Sequence, residues 1–354
     1  MLPELRQLLT TLKYSQVAEE RLQMSIDNFY IALSQASAAE VRGAICDLAA
    51  ALTLDNLTHA GRVAMVICGL MHQGYDLTPA IAPLINKLDY LLTMSRRLLV
   101  AAEREAGVAS DDPDNAELIE QTLTEIARSN PIESTAWDAL EEFFYLPGVA
   151  LFCQDLQVRI AAQHLRELTK PIEHYHSGAH WLDRILSVFF NEPILAIEPS
   201  TKLGFEGKMS GISGNFQLHT LLMDIFPQQH LWQIQRRVSK KAVDIAMGKG
   251  AQCDPRNSIV GVWNMYDWQA IQPDLTLPDP SNYESTRSWI WGEGCPADIP
   301  VFSGFRVILL GTPSYKRGFG AQRDFANLPA NITRDRLLNR EEVTAWLLRM
   351  AQEK

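Results

Sequence analysis

The stretch "LGFEGKMSGISGNFQLHTLLMDIF", Leu203 to Phe226, decides how the second half of the chain is read. Gly204, Gly207, Gly211 and Gly214 lead into an apolar run. Such a pattern is either a phosphate cradle or a strand and turn feeding a helix. A P-loop needs Gly-Lys followed by a hydroxyl that ligates Mg²⁺, and here Gly207-Lys208 is followed by Met209. A dinucleotide turn needs Gly-x-Gly-x-x-Gly, and these glycines stand three or four apart. Both fingerprints fail. "LGFEGKMSG" instead reads as a strand or bent hairpin, and "SGN" as a turn in which Ser213 or Asn215 caps the next element. Phe216, Leu218, Leu221, Leu222 and Ile225 then form the apolar face of a helix. The free amides at that helix start are a candidate anion site.

Outward from this stretch the texture changes along the chain. Toward the N-terminus the segments are helical. "SQVAEERLQMSIDNFYIALSQA" spaces apolar residues one helical turn apart. "AAEVRGAICDLAAAL" and "AGRVAMVICGLMHQG" follow, the latter closing on Gly74. A long segment starts at Thr78 with Pro79 in its first turn. Helical pattern continues past Ala136, interrupted at Pro147-Gly148. Beyond it, short β-branched and aromatic runs appear: "PILAIE", "SIVGVWNMYDW", "SWIWGEG" and "FRVILLG". Helices are expected among them near Gly178–Phe190 and Asn215–Phe226, and after Asn339. The fold class expected is α+β: an N-terminal antiparallel helical bundle or HEAT-like stack, then a mixed α+β domain. The domains expected are 1–146 and 147–354, with the boundary between 131 and 171. No Gly/Ser linker separates them, so they are expected to pack together. No fixed-period repeat supports a solenoid.

The chain has 354 residues, 47% of them hydrophobic and 21% charged, as in a globular protein able to bury a sizeable core. Its net charge is −10. Up to Ala136 there are 18 acids against 10 bases, a net −8. That acidity argues against a nucleic-acid partner and favours encounter with a basic protein. Cys46, Cys68, Cys153, Cys253 and Cys295 form no Cys-x-x-Cys and suggest a reducing compartment. The N-terminal segment lacks the pattern of a signal peptide, and no apolar run reaches the ~20 residues that span a bilayer. A cytoplasmic location, with no membrane partner, is expected.

Few residues carry chemistry. In "HYHSGAHWLD", His174, His176 and His180 are the alternative metal candidates, because three imidazoles and an open position make a catalytic zinc site. Gly178 interrupts their spacing, so no metal and no cofactor is expected. Cys153, Cys253 and Cys295 lack any nucleophile signature. Glu192, Glu198 and Glu206 flank strands as candidates for a carboxylate pair. Trp289, Trp291, Tyr315, Arg317, Phe319 and Arg323 are the candidate partner-binding residues, since aromatic and arginine side chains dominate interface hot spots. The loop "TPSYKRGFGAQRDF" is expected to be exposed.

Across "EPILAIEPSTKLGFEGKMSGISGNFQLHTLLMDIF", "AGRVAMVICGLMHQG" and "WIWGEGCPADIPVFSGFRVILLG", the chain resembles a bacterial family whose members mostly lack an assigned activity. That family is associated with immunity proteins that neutralise secreted polymorphic toxins. The resemblance implies a non-enzymatic protein that binds a cognate toxin domain and occludes its active site. An ADP-ribosyltransferase, or another NAD- or nucleic-acid-directed toxin, is the expected partner. The alternatives are a metal-dependent hydrolase using the histidine cluster and a helical-repeat adaptor.

Overall fold

The structure is a computed structural model that describes residues 2–13, 19–227, 238–313 and 315–353. The chain divides into two compact units, Met1–Leu186 and Ser187–Lys354. The division lies C-terminal to the 131–171 window read from composition. The reason is that the residues after Pro147 stay helical and pack among the earlier helices.

The helical unit begins with α1 (Pro3–Lys13), α2 (Glu19–Gln35), α3 (Ala38–Leu52), α4 (Leu57–His72) and α5 (Thr78–Ala106). Ser37 and Glu40 form a capping box at the start of α3, each satisfying the other's free amide. Asn56 caps α4. Pro79 occupies the first turn of α5, where no intrahelical donor is needed. After α6 (Ala116–Ile126), α7 (Pro131–Ala139) runs through a widened π turn, Leu140–Phe144, into α8 (Tyr145–Gln154). The expected interruption at Pro147-Gly148 is thus not a break. Proline lacks an N–H and its ring collides with the carbonyl four residues back. Here that is the carbonyl of Phe143, inside the π turn, which keeps the helix continuous. Gly61 of α4 lies under this turn: a Cβ there would sit 2.6 Å from Phe143 Cβ. Short helices α9 (Leu156–Ala161) and α10 (Arg166–Thr169) and then α11 (Ser177–Leu186) complete the unit. Among the described residues no helix is long and apolar enough to cross a membrane. Counted by unit, the first holds 25 acids and 14 bases, net −11, and the second 17 and 18, net +1.

The second unit is built on a mixed sheet. Its strands are β1 (Glu192–Glu198), β2 (Leu203–Ser210), β4 (Asn264–Tyr266), β5 (Val301–Phe302), β6 (Phe305–Gly311) and β8 (Asn331–Leu338). The order is β4-β6-β1-β2-β8, with β5 also paired to β6. The β1–β6 pair is parallel and the other pairs are antiparallel. Strand β1 is central, so both of its faces are buried and it reads as an unbroken apolar run. Ile194 and Ala196 face one core with Phe205, Ile308 and Leu310, under α12 (Asn215–Ile225) and α13 (Lys240–Ala246). Leu195 and Ile197 face the other, with Val307, Leu309 and the Val343, Leu347 and Met350 of α14 (Arg340–Gln352). Asn339 caps α14 in a capping box with Glu342. A separate ribbon, β3 (Cys253–Val260) with β7 (Gly318–Gln322), packs beside α12 and α13. The strand expected at "SWIWGEG" does not form; it leaves one bridge, Tyr266 to Trp289, and otherwise runs as a loop.

Gly211 ends β2 with φ +70°, and a Cβ there would lie 1.9 Å from the carbonyl oxygen of Pro329. Gly211→Ala is therefore expected to destabilise the second unit by more than the ~1–3 kcal/mol of a left-handed non-glycine residue. Urea unfolding followed by tryptophan fluorescence measures this; a loss under ~0.5 kcal/mol, the scatter of an ordinary surface change, would contradict it.

Candidate functional site: an aromatic pocket over α12

The glycine-rich stretch resolves into strand β2, a turn and α12. Neither Ser213 nor Asn215 caps the helix. The N-cap is Gly214, without a side-chain bond. The amides of Asn215 and Phe216 instead donate to the carbonyls of Gly294 and Gly292, both at 3.1 Å. Asn215 Nδ2 donates to the carbonyl of Trp291 at 2.8 Å. The 291–294 loop thus lies across the helix start and consumes those donors, so the anion site expected there is already filled by carbonyl oxygens. The fit is close, because a Cβ on Gly292 would fall 2.3 Å from the Phe216 ring.

The same loop forms one wall of a pocket. Phe216 and His219, one turn apart on α12, form its floor, and Trp263, Trp289, Trp291, Arg317 and Phe319 surround them. Phe216 and Phe319 have ring centroids 4.8 Å apart, and Trp289 and Trp291 5.0 Å apart. His219 stacks on Trp263 at 6.0 Å. Trp263 is held from behind, its indole N–H donating to the buried Glu198 at 2.9 Å. Arg317 lies over Phe216, 5.0 Å from the ring centre, and donates to Glu293 at 2.5 Å. Such a guanidinium combines an aromatic face with a carboxylate partner. The inner void is about 30 Å³, space for one or two water-sized groups. His219 is 6% exposed, and its Nε2 has no hydrogen-bond partner among the described residues. Burial, with the charge of Arg317, pushes its pKa down to about 4. The imidazole is neutral at pH 7.

Four of the six partner-binding candidates line this pocket: Trp289, Trp291, Arg317 and Phe319. Trp291 and Tyr315 are exposed, at 46% and 54%. Phe319 is only partly buried, but it lies on β7 rather than in an open loop and packs against the core. Arg323 does not belong to a contact surface. It is buried, and its guanidinium donates to the carbonyls of Ile245, Gly250, Ala251 and Ala326. The loop around it is drawn inward because β7 pairs with β3.

The remaining candidates do not converge. His176 is buried; its Nε2 lies 3.0 Å from the carbonyl of Trp137 and its Nδ1 accepts from the Ala179 amide at 3.1 Å. It caps α11, and burial lowers its pKa. His174 and His180 are exposed, and no metal-holding group of three ligands forms among the described residues. Glu192 pairs with Arg306, and Glu206 pairs bidentately with Arg336. With Glu198 tied to Trp263, no carboxylate pair faces a common site. None of the five cysteines forms a disulfide. Burial raises Cys153 to about 12, so its thiol stays protonated. Cys295 donates its thiol to Asp298 at 3.1 Å.

No protein-family model matches the chain, and comparison with curated proteins and with solved structures finds no relative. Phe216, Trp263 and His219 line the pocket without being among the six candidates, and the one with a titratable group is His219. Its signal was a single imidazole inside the apolar run "NFQLHTLLMDIF", one turn after Phe216.

Arg323→Lys leaves buried carbonyls unpaired and is expected to cost at least ~2 kcal/mol of stability, read by urea unfolding. A stability change within error would argue that the clamp is dispensable. His219 carries a pH signature. An unfolded histidine titrates near ~6.5, whereas this one titrates near 4. The unfolded chain takes the proton first, so the contribution is full above about 6.5 and is lost as pH falls toward 4, by roughly 3 kcal/mol. The stability of His219→Phe should decline less across that window than that of the native chain; equal declines would refute the assignment.

Proposed function

We propose that this chain is a non-enzymatic immunity protein that binds one toxin domain tightly, one to one, and occludes its active site. The observation that carries the reading is the rim of the α12 pocket. Trp291 and Arg317 present an aromatic and a guanidinium group there, braced by Trp289, Phe216 and Glu293, and Tyr315, two residues before Arg317 in the chain, is exposed. Braced aromatic and arginine groups lose little conformational freedom on binding, which is what a hot spot requires. The void behind them, about 30 Å³, is far below the ~300 Å³ of a small-molecule site. This pocket therefore suits contact with another protein better than turnover of a substrate. The acidity, concentrated in the helical unit at net −11, supplies long-range attraction for a basic toxin and acts mainly on the association rate.

The partner to test is the product of the gene adjacent to this chain's, which the proposal requires to be a toxin, with binding kinetics measured on the immobilised product. Trp291→Ala and Tyr315→Ala are each expected to speed dissociation about 30-fold, equivalent to ~2 kcal/mol. Added salt should slow association more than it changes dissociation. Absence of a complex would remove the proposal. Protection at far below one copy per toxin, with repeated reversal of the toxin's product, would establish an enzyme instead.

A further inference from the structure

The pocket holds a group that the fold leaves unused. His219 Nε2 is buried among Phe216, Trp263 and Phe319 and has no partner among the described residues. A buried polar atom left unpaired costs about 1–3 kcal/mol, which is an unusual expense beside an otherwise packed aromatic wall. Arg317 lines the same pocket. It spends one Nη2 bond on Glu293, and a guanidinium has five N–H donors. No aspartate or glutamate lines the pocket. Arg317 is the one charged group in the lining, and its partner Glu293 stands outside it. The void of about 30 Å³ has room for two oxygen-sized atoms and not for a ring.

We infer that this pocket is a carboxylate subsite, in which His219 Nε2–H and Arg317 together receive one carboxylate. Resting on the partner-binding reading, the carboxylate is an Asp, Glu or C-terminal group that the partner inserts past Trp291. The neutral imidazole takes the Nε2–H tautomer and donates to one oxygen, and Arg317 donates to the other. A cationic or apolar anchor is disfavoured, because it would face Arg317 or leave Nε2 unpaired. Local anchoring by an acidic group is compatible with a partner that is basic overall, since the steering charge lies in the helical unit.

The test uses the full chain, ¹⁵N-labelled, with its histidine ring resonances followed while sodium propionate is added. Sodium chloride at equal ionic strength and propylammonium chloride are the controls. Propionate is expected to shift the His219 Nε2 signal saturably toward the protonated-nitrogen position, and neither control should do so. Arg317→Gln, at a partly exposed position that leaves the core intact, should weaken the response at least tenfold with an unchanged thermal melt. No saturable shift, an equal response to the amine, or an undiminished response in Arg317→Gln would each overturn the subsite. Propionate binding without any toxin complex would refute the partner reading and keep the subsite. A toxin complex whose affinity is unaffected by Arg317→Gln, in a chain that ignores propionate, would refute the subsite and keep the partner reading.

Discussion

Three bonds from the 291–294 loop to the start of α12 organise the second unit around its site. Asn215 and Phe216 donate their amides to Gly294 and Gly292, and Asn215 Nδ2 donates to Trp291. Helix N-terminal amides must find acceptors, and their partial positive charge favours carbonyl oxygens. Meeting that requirement with a distant loop rather than a side-chain cap fixes the loop's path. Trp291 is thereby set at the surface and Gly292 pressed on Phe216. One constraint thus closes an anion site and builds an aromatic one.

Much of this architecture was legible in the sequence. The central strand was visible in "PILAIE", because a strand buried on both faces is apolar throughout. The cap of α14 was visible in Asn339. Other elements were not. β7 contains Gly318 and Gly320, which carry no alternation, and its partner β3 contains Pro255. Such strands are specified by pairing, and pairing is a long-range property. Arg323 looked like a surface anchor because nothing local distinguishes an arginine that binds solvent from one that clamps four carbonyls. The chain divides later than its composition suggests because Pro147 and Gly148 are local punctuation. A π turn absorbs the first, and the second lets Leu88 and Leu182 approach closely.

The candidate site was partly legible. Trp289, Trp291, Arg317 and Phe319 were selected by residue type, and the fold brings them to one pocket. His219 was hidden in an apolar helix face, where an imidazole passes for a core residue. Only its orphaned nitrogen sets it apart. The histidine cluster was the opposite case: conspicuous in sequence, and dispersed in space by the role of His176 as a helix cap.

The parallel pairing of β1 with β6, in which Ile194 meets Arg306, has a consequence for biosynthesis. The strand at the centre of the sheet waits for a neighbour encoded far downstream. Closing so long a loop is entropically slow, and non-local pairing delays folding. The helical unit, whose helices lean mostly on near neighbours in the chain, can form on the ribosome as it emerges. β1 can pair with β2 at once, but its other edge, and the face that α14 covers, stay open until translation is nearly finished. A ribosome paused before "FRVILLG" would hold a finished acidic bundle joined to a hairpin with one sticky open edge, the species from which chaperone dependence and aggregation arise.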